Sequence, residues 1–161
     1  MHSVAASSIS TATLNLHYPT PAPRDRKELA NAVDIDFKGN WNNDLYTWMV
    51  QWDVSRVADM STLFKYPSVR DVTDFYLFNA DISEWDVSKV TDMKEMFMGA
   101  ASFNANISEW DVSRVTSMVN MFNGAQKFYQ KLSGAWSTSK ADKSNMFHNS
   151  GGEIVPLHPV V

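Results

Sequence analysis

Tryptophan recurs at Trp52, Trp85, Trp110 and Trp136, and an aspartate directly follows the first three at Asp53, Asp86 and Asp111. Recurring indole rings can stack on sugars, and recurring carboxylates can hold calcium. The tryptophans read instead as a buried ladder, because the other strongly repeated positions are apolar. Each carboxylate reads as a turn closer, since Ser55, Ser88 or Ser113 stands two residues on, where an aspartate side chain meets a backbone N–H. Two such carboxylates ~4.8 Å apart in water repel by only about 1 kcal/mol, so an exposed column survives without an ion. Calcium-binding β-rolls also use glycine-rich turns, which this chain's unit lacks. Met60, Met93, Met96, Met118, Met121 and Met146 offer soft sulfur to copper, but their spacing follows a helical turn and reads as core filling. Asn79 and Asn104 read as side chains bonded to the backbone of a turn. No metal and no cofactor is expected.

Catalysis finds no foothold, and an enzyme is not expected. His2, His17, His148 and His158 lie in or near the tails, none at ligand spacing with another, and neither Gly-x-Ser-x-Gly nor a phosphate-cradling loop occurs. Asn106-Ile107-Ser108 has the form of a glycosylation sequon, but Asp81 fills the equivalent place one unit earlier, which favours coincidence. The net charge of -4 and a pI near 5.5 argue against nucleic acid, whose recognition leans on a basic face. The chain has no cysteine, hence no disulfide, thiolate chemistry or Cys-type zinc site. No apolar run approaches the ~20 residues of a membrane span.

These residues are positioned by a repeat. Residues 78–97, FNADISEWDVSKVTDMKEMF, return at 103–122 as FNANISEWDVSRVTSMVNMF, a period of 25. Phe78, Phe103 and Phe128 share that phase, as do Met96, Met121 and Met146 with Phe97, Phe122 and Phe147. An earlier copy covers about 50–64, followed by extra residues near Lys65 to Val72 that must leave as a loop. The last copy, about 128–150, decays: Trp136 comes one place late and Lys143 replaces the apolar Met118, as in a capping unit. A fixed period of this size signals units that bury their apolar faces only by stacking.

Within each unit, Asp59, Asp92, Ser117 and Asp142 precede an M-x-x-[ML]-F pattern, which predicts one helical turn behind an N-cap. Gly99 and Gly124 stand at its left-handed exit. Ile82 with Trp85, and Ile107 with Trp110, suit a short strand stacking in parallel on its copies. Asp25 to Val33 reads as an amphipathic leading helix that starts on the pair Asp25 and Glu28. The expected architecture is an α/β repeat: a short solenoid over 24–150 with a small parallel sheet, short helical turns and an N-terminal helix over 25–33. Extended tails over 1–23 and 151–161 flank it, neither carrying enough periodic apolar surface to order by itself.

The unit F-N-A-[DN]-I-S-E-W-D-V-S-[KR]-V-T-x-M-x-x-M-F resembles the 25-residue repeat of the BspA-like leucine-rich-repeat surface proteins over roughly residues 50–150. The resemblance implies a leucine-rich-repeat-like solenoid used for binding, and no catalytic residues. The chain departs from that family's long arrays in being short. Its serine-rich first residues lack the basic start and apolar middle of a secretory signal; organellar and extracellular settings both remain open.

The functional expectation is a non-enzymatic protein–protein interaction module, a peripheral or scaffolding subunit of a larger assembly. The alternative is a secreted or cell-surface adhesion module that binds glycan or protein. Partner-binding candidates are Trp41, Trp48, Tyr66, Tyr76, Ile154, Val155 and Leu157, which lie outside the repeat register. Core candidates are Trp52, Trp85, Trp110, Met93, Met96, Phe97, Met118, Met121, Phe122 and Phe147.

Overall fold

The computed structural model describes residues 22–39, 49–65 and 78–156. The loop expected near 65–72 and most of the N-terminal tail lie outside them. Helix α1 spans Arg26–Gly39, a 3-10 turn Met49–Gln51, strand β1 Lys131–Leu132, helix α2 Ala135–Thr138 and strand β2 Glu153–Ile154. The remaining described backbone is organised by hydrogen bonds between units.

Asp59, Asp92, Ser117 and Asp142 are joined pairwise by parallel bridges, so the column expected to cap helices is the column where units touch. From it runs a ladder. The N–H groups of Met93, Glu95, Phe97 and Gly99 donate to the carbonyls of Ser117, Val119, Met121 and Asn123 at 2.8–2.9 Å, and those of Met118, Asn120, Phe122 and Gly124 donate to Asp142, Ser144, Met146 and His148 over the same range.

The expected helical turn does not form. Residues 94–99 are consecutive turns, closed by Met96 N–H to Met93 O at 3.2 Å and Met98 N–H to Glu95 O at 3.1 Å. Thr62, Glu95, Asn120 and Asn145 take φ between 55° and 59°, a left-handed conformation that no right-handed helix admits. The carboxylates of Asp59, Asp92 and Asp142 accept the N–H two residues on at 2.8–2.9 Å. That Asx turn resembles the start of an N-cap, but the left-handed residue which follows turns the chain back to meet the next unit. Gly99 and Gly124, at φ 75° and 77°, repeat the device one turn later, where glycine carries no steric cost.

The predicted strands around Ile82 and Ile107 are also turns, closed by Trp85 N–H to Ile82 O at 3.1 Å and Trp110 N–H to Ile107 O at 3.2 Å. Asp81 and Asn106 accept the N–H of Ser83 and Ser108 at 3.1 and 3.0 Å, and such local bonds compete with a ladder. The parallel pairing appears one unit later, where Lys131 and Leu132 of β1 register with Glu153 and Ile154 of β2. The C-terminal tail, expected to lie free, is thus tied down over its described part. Gly151 and Gly152 allow its passage: a Cβ on Gly152 would stand 2.6 Å from Phe128 Cδ1 and 2.9 Å from Phe147 Cε1.

The core is a pile of rings. Phe64, Phe97, Phe122 and Phe147 follow one another with centroids 5.5–5.7 Å apart, and Phe78, Phe103 and Phe128 follow at 5.8 Å. The two columns touch most closely where one unit passes into the next, Phe97 lying 3.9 Å from Phe103 and Phe122 4.0 Å from Phe128. The core candidates Trp52, Trp85, Trp110, Met93, Met96, Phe97, Met118, Met121 and Phe122 are all buried, and Phe147 packs against them half-buried. Burial of each large side chain contributes about 1.5–3 kcal/mol.

Helix α1 begins as its residues dictate: Asp25 Oδ1 accepts the Glu28 N–H at 2.9 Å. The return arm of the expected box goes elsewhere, Glu28 accepting the Arg24 N–H and pairing with the Arg24 guanidinium. The helix extends six residues past the predicted Val33 and seats Leu29 and Val33, one turn apart, in the core.

Candidate binding surface

The repeated polar side chains are spent on holding units together. The indole N–H of Trp85 donates to Met49 O at 2.6 Å, that of Trp110 to Ile82 O at 3.2 Å and that of Trp136 to Ile107 O at 3.1 Å, each reaching the unit before its own. Trp52 stacks on Trp85 at 6.3 Å and Trp110 on Trp136 at 6.5 Å, so these rings offer no open face to a sugar. Trp136 reaches its place despite standing one residue late because Gly134, at φ 58°, and helix α2 absorb the extra residue.

Asn79 and Asn104 act between units rather than within a turn. Asn79 Oδ1 accepts the Asn104 N–H at 2.7 Å, and Asn104 Oδ1 accepts the Tyr129 N–H at 3.0 Å. The ladder stops where Tyr129 occupies the asparagine position. Asp53, Asp86 and Asp111 each accept the N–H of the serine two residues on at 3.0–3.1 Å. Hydrogen bonds from those serines hold the three carboxyls below the usual aspartate range. Among the described residues, no group of three or more His, Cys, Asp or Glu side chains is gathered as for a metal ion.

The two ends of the pile differ. At the N-terminal end, Arg26 Nε donates to Ser61 O at 2.8 Å and its Nη2 reaches Thr62 Oγ1. Ser61 O is the equivalent of Lys94 O, which accepts the Thr62 N–H from the unit before it. The guanidinium therefore stands in for a missing unit. At the C-terminal end, Lys143 occupies the methionine position of earlier units and aims its ammonium at Ser139 O and Ala141 O. Burial pushes its pKa down. Glu153 pairs with Lys131 at 3.0 Å across β1 and β2.

Of the predicted partner-binding residues, Trp41, Trp48, Tyr66, Tyr76 and Leu157 lie outside the described residues. Ile154 and Val155 are half-buried: Ile154 packs on the core and the Val155 N–H donates to Leu132 O at 2.8 Å. Both serve the chain's own fold. Tyr129 was missed by sequence reasoning, yet it is 66% exposed and lies beside Gly151 at the same C-terminal end. Its departure from the Phe-Asn pair of earlier units was the available signal.

Among the described residues no helix is long and apolar enough to cross a membrane. No curated protein and no solved structure matches the chain. Residues 33–153, which include the bridged units and both ring columns, match the family described as "Mycoplasma protein of unknown function, DUF285". With that match covering most of its length, the chain belongs to the DUF285 family.

Proposed function

We propose that this chain is a short leucine-rich-repeat-like solenoid and acts as a non-enzymatic protein–protein interaction module, a peripheral or scaffolding subunit of a larger assembly. The observation that carries the reading is the use of the repeated groups. Indole N–H groups, asparagine amides and aspartate carboxylates all bind backbone of their own or a neighbouring unit. A surface built this way offers shape and backbone, which suits recognition of another polypeptide. The similarity of the repeat to BspA-like surface proteins supports a second reading, adhesion to glycan or protein outside the cell.

Size-exclusion of a gentle native extract, with mass spectrometry of the co-eluting proteins, separates the two. Elution far above 18.2 kDa with constant companions is expected for a subunit. Elution as a free monomer that binds a glycan array would replace this reading with adhesion.

A further inference from the structure

The units at 93–99 and 118–124 each spend four backbone donors on the unit after them, and among the described residues the unit at 143–149 meets no such neighbour. The equivalents of Met118, Asn120, Phe122 and Gly124 are Lys143, Asn145, Phe147 and Asn149. Among the described residues their N–H groups have no acceptor, although the backbone repeats the inner pattern, with Asn145 at φ 55° and Asn149 at φ 56° in the places of Asn120 and Gly124. Asn145 and Asn149 are exposed and Phe147 is half-buried. An uncovered row of donors is a template for another chain.

The occupant is constrained by hydrogen-bond polarity. A second copy meeting this edge with its own C-terminal edge would set donors against donors. A second copy meeting it head to tail would need free carbonyls at Asp59, Ser61 and Leu63. Helix α1 stands there, with Arg26 on Ser61 O and with Leu29 and Val33 in the core. End-on pairing of two copies therefore either sets donors against donors or has to displace Arg26 from Ser61 O and α1 from its seat. What fits is a segment running parallel to residues 143–149 and presenting a carbonyl at every second residue, as Asp142, Ser144, Met146 and His148 present theirs to the unit before.

We infer that the edge at Lys143, Asn145, Phe147 and Asn149 is the docking site for a different polypeptide, one that adds a repeat-like coil through its backbone carbonyls. Tyr129, exposed beside Gly151, lies at the same end of the pile. The inference rests on the interaction-module reading and names the surface that this reading leaves open.

The test is amide exchange on the full chain, alone and with a synthetic peptide of residues 115–127, VTSMVNMFNGAQK, at about 1 mM, the weak end of peptide affinity. The reversed sequence serves as control. In the free chain the four edge amides should exchange at least tenfold faster than those of Met118, Asn120, Phe122 and Gly124. The forward peptide should then slow the edge amides at least tenfold and saturably, and the reversed peptide should not. Edge amides already slow in the free chain, peptide protection elsewhere, or none at all would overturn the assignment. Concentration-dependent oligomers with loss of protection in α1 would make the occupant a second copy, against the inference. A companion protein from the native extract that binds and leaves the edge amides unchanged would sink the edge while sparing the module reading.

Discussion

Indole nitrogen carries a share of this structure that apolar burial alone does not predict. Trp110 fills the space between Phe97 and Trp136 and also satisfies Ile82 O. Replacing it with alanine should cost about 3–5 kcal/mol through the cavity left behind. Trp110→Phe keeps a ring but removes one of two donors to Ile82 O, which still accepts the Trp85 N–H at 3.1 Å, and should cost about 0.5–1.5 kcal/mol for the lost bond. Guanidinium denaturation midpoints distinguish the two; a phenylalanine variant as stable as the parent would remove the indole bond from the argument. The exposed carboxylates add a pH dependence. Bonds from the following serines lower the Asp81, Asp86, Asp111 and Asp142 carboxyls below their ordinary 3.8, so the folded chain releases those protons more readily than the unfolded one. Their contribution is present above that value and is lost as pH falls through the lowered range. The melting temperature should hold steady above about pH 5 and drop towards pH 3. A flat profile over that interval would show that the Asx bonds do not stabilise the fold.

At the scale of elements, the C-terminal tail is held by pairing that its composition does not predict, β2 lying against β1. Deleting residues 151–161 removes two backbone bonds, Glu153 to Gln130 O at 3.1 Å and Val155 to Leu132 O at 2.8 Å, and uncovers Phe128 and Phe147. A loss of about 2 kcal/mol is expected from those bonds alone. Gly152→Ala forces a methyl against two core rings and should cost about 1–3 kcal/mol by overpacking. Unchanged urea midpoints for both variants would return the tail to the role of a free arm. The tail's pairing was not legible in the sequence because GGEIV meets KL through a contact between distant segments. The period, the buried tryptophans and the start of α1 were legible, since each rests on spacing or on a local cap. The turns at 94–99 were not, because M-x-x-M-F serves a helix and a run of turns equally, and nothing in the letter Glu at position 95 announces a positive φ. Asparagine at 120 and 145 was the missed signal, as asparagine tolerates that conformation.

At the scale of the whole molecule, the arrangement of the described residues is directional: donors face the C-terminal end, acceptors face the N-terminal end, and among those residues Arg26 closes the latter. Stability in such an array sums over units and their contacts, so it should grow when a unit is added in register. The most direct test is urea denaturation of a chain in which residues 103–127 are duplicated between Lys127 and Phe128. The inserted unit brings its own tryptophan, phenylalanine pair and asparagine, each at the spacing its neighbours require. With the bridged column growing from the four positions Asp59, Asp92, Ser117 and Asp142 to five, unfolding should stay cooperative. Its m-value should rise by about a sixth, in proportion to the surface that one more unit adds to a chain of 161 residues. A duplicated chain that aggregates, or unfolds with the parent's m-value, would contradict a fold built by stacking one unit on the next.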